Sequence, residues 1–408
     1  MNTERLFKDN VYLKECGAVV TGVYDCPASK GGPEDLAVTL DRTVFFPTGG
    51  GQSCDTGTLG AFSVAEVYEK DDEIYHVVKG AAGKLAVGDT VECAIDWARR
   101  FDNMQRHCGE HILSGVFYQL YGGVNRGFHM GEDYMTIDIS LEDDPAYTEL
   151  TWEMAKAAEL GTNRVIWQDL PVVARHFDTK EEAEAFPMRK KLAIERDITI
   201  VTIGDPMQPA DSVACCGTHP AHTGQVGLVK LYKVEPNKGM FRVYFEAGER
   251  AFRQYGERYE VLTRLEKDLS AGFPDLMTKY DARNEKQKAV RDRLYHLTKK
   301  VLEQEAAAIE PHLGEPAFLR EYEILTLDDL LALGRSLQGK IPHILFLVHR
   351  PSHTVLLFSD TAHCGRLVKD NAPVFGGKGG GGKDNARALF TKKDDADMFV
   401  DAVEKLLR

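Results

Sequence analysis

The chain contains no apolar run longer than a strand. Stretches such as Ile344-Leu345-Phe346-Leu347-Val348 fall far short of the roughly 20 residues a membrane-crossing helix needs. That argues against a helical membrane protein and against a membrane partner. The opening residues, Met1-Asn2-Thr3-Glu4-Arg5, lack the basic-then-apolar layout of a secretory signal, so a cytoplasmic location is expected. Positive charge is in deficit. Fifty Lys and Arg face 63 Asp and Glu, a formal net charge of −13. This argues against a generally basic nucleic-acid binder but leaves room for a local basic surface. Cysteine is scattered: of eight, only Cys215 and Cys216 are adjacent. In a reducing compartment such residues read as thiols or metal ligands rather than a disulfide framework.

What remains is the composition of a soluble globular protein, 43% hydrophobic and 28% charged. A length of 408 residues suggests about two or three domains.

The most informative stretch is Arg106-His107-Cys108-Gly109-Glu110-His111-Ile112-Leu113. Histidines spaced i, i+4 share one helix face and can hold one metal ion. Taken alone, such a pair is more often plain surface or core. A second pair changes the balance: Cys215-Cys216-Gly217-Thr218-His219 repeats the spacing of four. Two pairs of this type are what a tetrahedral N/S zinc site requires. Leu113, Val116, Phe117 and Leu120 continue with helical spacing, so the helix is expected to be amphipathic and to end at Gly122-Gly123. Glu110 borders the face of the two histidines; it reads as a solvated carboxylate or, more sharply, as a general base.

Upstream, 18–23, 36–40 and 74–78 are β-rich, separated by Gly, Pro and Asp, which suggests a small barrel. Within it, Phe45-Phe46-Pro47-Thr48-Gly49-Gly50-Gly51-Gln52 has three glycines that allow close backbone approach to a ligand. A tight turn is the plainer reading. Thr48 and Gln52 add donors and acceptors that favour a substrate-facing loop.

Downstream of the two-histidine helix, 126–130 and 135–139 read as adjacent strands, 150–160 as a helix, and 165–175, 198–203 and 239–245 as strands. From about 247 to 309 the pattern is helical and charged. Val290, Leu294, Leu297 and Val301 form a short a/d seam. An antiparallel hairpin broken near Gly272-Phe273-Pro274 is expected, with a seam that offers a surface to a partner subunit. The remainder alternates helix and strand around Phe375-Gly376-Gly377-Lys378-Gly379-Gly380-Gly381-Gly382-Lys383. That run reads as a loop able to cradle phosphate, though no Gly-Lys-Ser/Thr closes it as in a Walker A loop.

The two metal motifs together, with Thr223-Gly224 and Gly227 after the second, resemble the editing domain of alanyl-tRNA synthetase. The run Phe45–Gln52, Gly127-Phe128-His129 and Thr136-Ile137-Asp138 resemble the freestanding alanyl-tRNA editing (AlaX) proteins, here in a long form. The tail glycine motif resembles the C-terminal domain of alanyl-tRNA synthetase, which DHH-type phosphoesterases share. Two positions depart from the family pattern: Cys216 stands where another small residue is usual and Cys108 where threonine or serine is usual, and either thiol can join or compete at the metal.

The resemblance implies an α+β protein. Residues 1–92 would form a β-barrel domain with the glycine-rich loop, and 93–247 an α+β zinc-binding editing domain. Residues 248–312 would be a helical hairpin linker, and 313–408 a C-terminal α/β domain. The implied metal ligands are His107, His111, Cys215 and His219, with zinc as cofactor. Thr48 is expected to recognise a hydroxyl, and Gln52, Gly50 and Gly51 to steady an oxyanion. The implied activity is trans-editing: hydrolysis of seryl and/or glycyl esters from mischarged alanine tRNA. With no room upstream for an ATP-dependent domain, the chain is not expected to charge tRNA. Arg100, Arg189, Lys378 and Lys383 are expected at a tRNA surface, and a homodimer through the linker or C-terminal domain is expected as well. The alternatives are a non-catalytic zinc-stabilised tRNA-binding protein and, further off, a phosphoesterase or peptidase. The phosphoesterase would need an Asp-His-His cluster that the chain lacks. His107-Cys-Gly-Glu110-His111 fits the short peptidase pattern His-x-x-Glu-His.

Overall fold

The computed structural model describes residues 3–142, 146–192 and 195–407. The chain divides into two compact units, Met1–Thr263 and Arg264–Arg408. The fold is mixed α and β throughout.

In the first unit, six antiparallel strands close on one another. Their order around the barrel is Glu15–Asp25, Leu36–Leu40, Glu73–Val78, Phe62–Lys70, Gly57–Leu59 and Thr90–Ile95. Glu15–Asp25 buries the alternate positions Ala18, Val20 and Gly22, as a one-sided strand should. Register shifts between Val20 and Gly22 and between Val64 and Glu66 bend the strands, which closure requires. Val38, Leu40, Phe45, Leu59, Val67 and Ile74 fill the interior.

The two-histidine helix follows as Trp97–Tyr121. Asp96 caps its start by accepting from Arg99 N, and Gly122 ends it in the left-handed conformation at φ 62°. The helix is buried along most of its length, and not only on its apolar stripe. Arg100, Arg106, His107, Glu110 and His111 are all buried, whereas Leu120 is exposed. Glycines let it sit so deep: a methyl on Gly109 would lie 2.7 Å from Ala247 Cβ, and one on Gly115 2.2 Å from the Ala210 carbonyl oxygen.

The helix packs on an antiparallel sheet in the order Val229–Asn237, Met240–Ala247, Met135–Ser140, Val124–Met130. Ile112, Leu113, Phe117, Met135, Ile137, Val243 and Phe245 form their shared core. A second, three-stranded sheet joins Val172–Thr179, Arg196–Ile203 and Asp211–Ala214. The helix expected at 150–160 extends over Trp152–Trp167.

A turn at Phe273–Asp275 separates the helices Gly248–Leu269 and Leu276–Ile309, where a break was expected. Along the second helix Val290, Leu294, Leu297 and Val301 are 67%, 61%, 52% and 40% exposed. The second unit then forms a five-stranded sheet in the order Ala317–Tyr322, Ile344–His349, Thr354–Phe358, Asn385–Leu389, Lys378–Gly381. Helices Leu327–Ser336, Cys364–Asn371 and Lys393–Leu407 accompany it.

The glycine-rich run departs from expectation. Lys378–Gly381 is an edge strand paired with Asn385–Leu389, not a phosphate loop. Its glycines make room for neighbouring backbone: a methyl on Gly379 would lie 2.0 Å from the Arg387 oxygen. The first amides of the Cys364–Asn371 helix donate to the chain itself, Cys364 N to Lys383 O and Gly365 N to Gly382 O, both at 2.8 Å. Among the described residues no helix is long and apolar enough to cross a membrane.

Candidate metal centre

Residues 108 apart in the chain meet in the first unit. His107 Nε2 and His219 Nε2 each lie 3.4 Å from Cys215 Sγ. One ligand atom from each of His107, His111, Cys215 and His219 falls within 4.8 Å of the other three. The helix supplies two imidazoles from adjacent turns. The loop after the Asp211–Ala214 strand supplies the thiol and the third imidazole. Gly217 is needed between them, because a methyl there would lie 2.2 Å from His107 Cε1.

The electrostatics suit a cation. Burial opposes ionisation of Cys215, but the His107, His111 and His219 rings outweigh it and hold the thiol well below its ordinary value. Burial pushes His219 down to about 4, which keeps its imidazole neutral and able to ligate. Burial also opposes charge on His111. The Cys215 thiolate and Asp211 outweigh it there and raise His111 to about 10. A buried thiolate thus faces a buried imidazolium, and a divalent ion bound by the four donors would take that proton's place. Three nitrogens and one thiolate sulfur are a donor set of the tetrahedral N/S kind.

Two of the imidazoles are oriented from behind, as metal-binding histidines usually are. Gln52 Oε1 accepts from His107 Nδ1 at 2.9 Å and from Thr218 N at 3.1 Å, while Gln52 Nε2 donates to Thr218 Oγ1 at 2.8 Å. Asp211 Oδ2 accepts from His111 Nδ1 at 3.2 Å, and Asp211 Oδ1 accepts from Arg189 Nε at 2.7 Å. Gln52 therefore holds a ligand and its loop, where it was expected to steady an oxyanion.

The glycine loop borders the cluster. Gly50 and Gly51 have φ of 58° and 82°, and the Gly49–Gln52 bridge closes the turn. A Cβ on Gly50 would lie 2.8 Å from Cys216 Sγ, and one on Gly51 2.7 Å from the Phe128 ring. Phe128 in turn stacks on His107 with centroids 5.5 Å apart. Thr48 is exposed beside this turn. Neither extra thiol joins the donor set. Cys108 lies in the apolar core, where burial drives its thiol far up, and Cys216 is exposed.

Glu110 is not a solvated carboxylate. It is buried, its Oε1 accepts from Ser114 Oγ at 2.6 Å and Asn125 Nδ2 at 2.7 Å, and its Oε2 lies 4.0 Å from His111 Nε2.

Two of the four cations expected at a tRNA surface are inside the protein. Arg100 is 0% exposed, paired with Asp55 and donating to Val11 O at 2.8 Å and Val44 O at 2.6 Å. It clamps the helix to the barrel and cannot reach a phosphate. Arg189 is spent on Asp211, behind His111. Lys378 and Lys383 are exposed, but in the second unit. Sequence reasoning missed Asp211, which no signal in the chain singles out; Phe128 lies in the Gly127-Phe128-His129 run, but its place against His107 was not read from it.

Residues 10–99 match the family described as tRNA synthetases class II (A). Residues 198–244 match the threonyl and alanyl tRNA synthetase second additional domain. The barrel and the Cys215 loop thus each match a family of the tRNA synthetase class. The alanyl-tRNA editing protein AlaX-L of Pyrococcus horikoshii is 28% identical over 418 residues, 99% of this chain and 98% of that protein. The alanine–tRNA ligase of Pyrobaculum neutrophilum is 30% identical over 99% of this chain, and that of Methanothrix thermoacetophila 32% identical over 64%. The chain spans only 44% and 27% of those two ligases. Within the class, the chain belongs with the alanyl-tRNA editing proteins in their long form.

Proposed function

We propose that the chain is a hydrolase that removes the wrong amino acid from mischarged alanine tRNA, taking seryl and/or glycyl esters. The observation that carries this reading is the convergence of His107, His111, Cys215 and His219 beside the Gly50–Gly51 turn. Likeness to an alanyl-tRNA editing protein and to alanine–tRNA ligases supports it. So does the chemistry of selection: a pocket for alanine rejects glycine weakly, since one methyl is worth only about 1–3 kcal/mol. A second, hydrolytic site is then required.

In this reading zinc is the metal, held by the four clustered donors. When bound it would polarise the ester carbonyl or lower the pKa of a water. Gln52 and Asp211 keep two of the ligand rings in one orientation and tautomer. The Gly50 and Gly51 amides steady negative charge on the ester oxygen, and the exposed Thr48 hydroxyl distinguishes serine from alanine. Glu110 is the candidate to take a proton from the attacking water, with its second oxygen 4.0 Å from His111 Nε2. The division of labour follows the four segments 1–92, 93–247, 248–312 and 313–408. Lys378 and Lys383 contribute to tRNA binding, and the exposed Val290–Val301 seam to a homodimer.

A second reading, a tRNA-binding protein with a structural metal, is favoured by the four-donor set itself, because catalytic zinc usually keeps an open position. One assay separates them. The protein is incubated with seryl-, glycyl- and alanyl-tRNA for alanine and ester loss is followed. Loss of the seryl or glycyl ester but not the alanyl ester supports editing; no loss above the spontaneous rate from any of them refutes it.

A further inference from the structure

Two thiols far from the donor set meet in the barrel wall. The ring closes where its last strand, Thr90–Ile95, returns to its first, Glu15–Asp25. Cys16 and Cys93 stand directly opposite each other in that seam. Residues so placed share one face of the sheet. Here that face is the interior: Cys93 is 0% exposed within the barrel core, and the half-buried Cys16 packs against the same cluster. Both are free thiols.

Val20 N donates to Asp89 O at 2.9 Å and Ile95 N to Lys14 O at 3.0 Å. Every second pair along the seam, Cys16 with Cys93 included, is therefore a hydrogen-bonded pair. Such pairs hold their Cα atoms about 5.5 Å apart, a separation at which disulfides are common. Their Cβ atoms, about 4.5–5.5 Å apart, stand wider than the roughly 3.8 Å a disulfide prefers. A link here draws the strands inward, and a strained disulfide is easily reduced again. The two thiols also differ in reactivity. Contact with the Cys93 thiol holds Cys16 below its ordinary value, against the effect of burial. The same contact, with burial, drives Cys93 far up. Cys16 is thus the nucleophile that solvent reaches, and Cys93 the resolving thiol behind it.

We propose that Cys16 and Cys93 are a reversible redox pair that locks the closing seam of the barrel, with the disulfide of a small thiol, such as oxidised glutathione, as oxidant. The Cys16 thiolate attacks one sulfur of that disulfide and expels a glutathione thiolate. Cys93 gives its proton to the expelled thiolate, attacks the Cys16 sulfur and expels the second glutathione, which takes up the proton Cys16 had released. Two protein thiols are oxidised, and one glutathione disulfide is reduced to two thiols. In a reducing compartment the link lasts only while the oxidant does. The seam joins the two barrel strands most distant in the chain, so a cross-link there removes the largest loop entropy from the unfolded barrel. It also fixes the strand that runs into Asp96, the cap of the two-histidine helix. The inference does not depend on the editing reading.

The test incubates the full-length protein with oxidised glutathione and then with an excess of the reduced form. Remaining thiols are alkylated, disulfides are mapped by mass spectrometry, and urea midpoints are measured at each stage. A Cys16–Cys93 cross-linked peptide with a raised midpoint, both reversed by reduced glutathione, is the expected result. In Cys16→Ser neither the cross-link nor the shift should appear; in Cys93→Ala one glutathione should remain attached at Cys16. The parent and Cys16→Ser decide the matter if Cys93→Ala does not fold. A parent in which Cys16 stays reduced, or keeps glutathione without passing on to Cys93, overturns the inference. So does a cross-link that leaves the midpoint unchanged, or a midpoint shift that persists in Cys16→Ser.

Discussion

Gln52 Oε1 lies 2.9 Å from His107 Nδ1, so a residue of the barrel's glycine loop orients a metal-binding imidazole on the following helix. The loop and the cluster are therefore one structural unit. Groups standing behind ligands of this kind are typically worth about 10–100-fold in metal affinity. Gln52→Ala is expected to weaken zinc binding by about that factor, read by chelator competition. Parent-like affinity would show that His107 needs no such support.

Gly217→Ala is expected to be worse. The added methyl would lie 2.2 Å from the His107 ring, and the loop carries Cys215 and His219 on either side. Either the ring or the loop must shift, and about 1 Å of looseness suffices to spoil a site. A loss of tenfold or more in zinc affinity with little change in melting temperature is the expected pattern. Unchanged zinc affinity would mean the loop has slack.

Arg100 tests the difference between a nucleic-acid contact and a structural clamp. Arg100→Met leaves the Asp55 carboxylate buried without its partner, which typically costs about 3–5 kcal/mol. Urea denaturation should report that loss. The double replacement Arg100→Met with Asp55→Leu should recover much of it, since an apolar pair removes the buried charge. A stable Arg100→Met protein with weakened tRNA binding would restore the surface role.

His76 gives a pH dependence away from the metal. The ring is fully buried, with partners at Thr43 Oγ1, 2.8 Å, and Val38 O, 3.0 Å. Burial pushes its pKa down to about 4. The unfolded chain titrates near 6.5, so between about pH 6.5 and 4 it binds the proton that the folded state refuses. Stability is full above that window and falls as pH drops through it, by about 2 kcal/mol at pH 5. Denaturation of the parent and of His76→Gln at pH 7 and pH 5 isolates this contribution as a difference of differences. A parent-to-variant gap that stays constant between the two pH values would contradict it.

Spacing made the four donors legible, because i, i+4 placement on a helix and the compact Cys215–His219 segment are local geometry. The barrel strands were legible for the same reason, from β-rich runs between turn residues. What lay hidden were choices of distant partner. Arg100 and Arg189 read as surface because most charge is solvated. Nothing near them in the chain announces that Asp55 and Asp211 will bury them. Gln52 carries the donors an oxyanion needs, but folding commits its amide to Thr218. The tail glycines suited a phosphate loop equally well; only packing, which brings the Arg387 backbone against Gly379, makes them a strand.

X-ray absorption at the zinc edge of the loaded protein tests the central claim most directly, because it counts the donors around the ion. One sulfur at about 2.3 Å and three nitrogens at about 2.0 Å are expected, the sulfur disappearing in Cys215→Ala. Two sulfurs, an oxygen-only shell, or a spectrum unchanged by that substitution would contradict it.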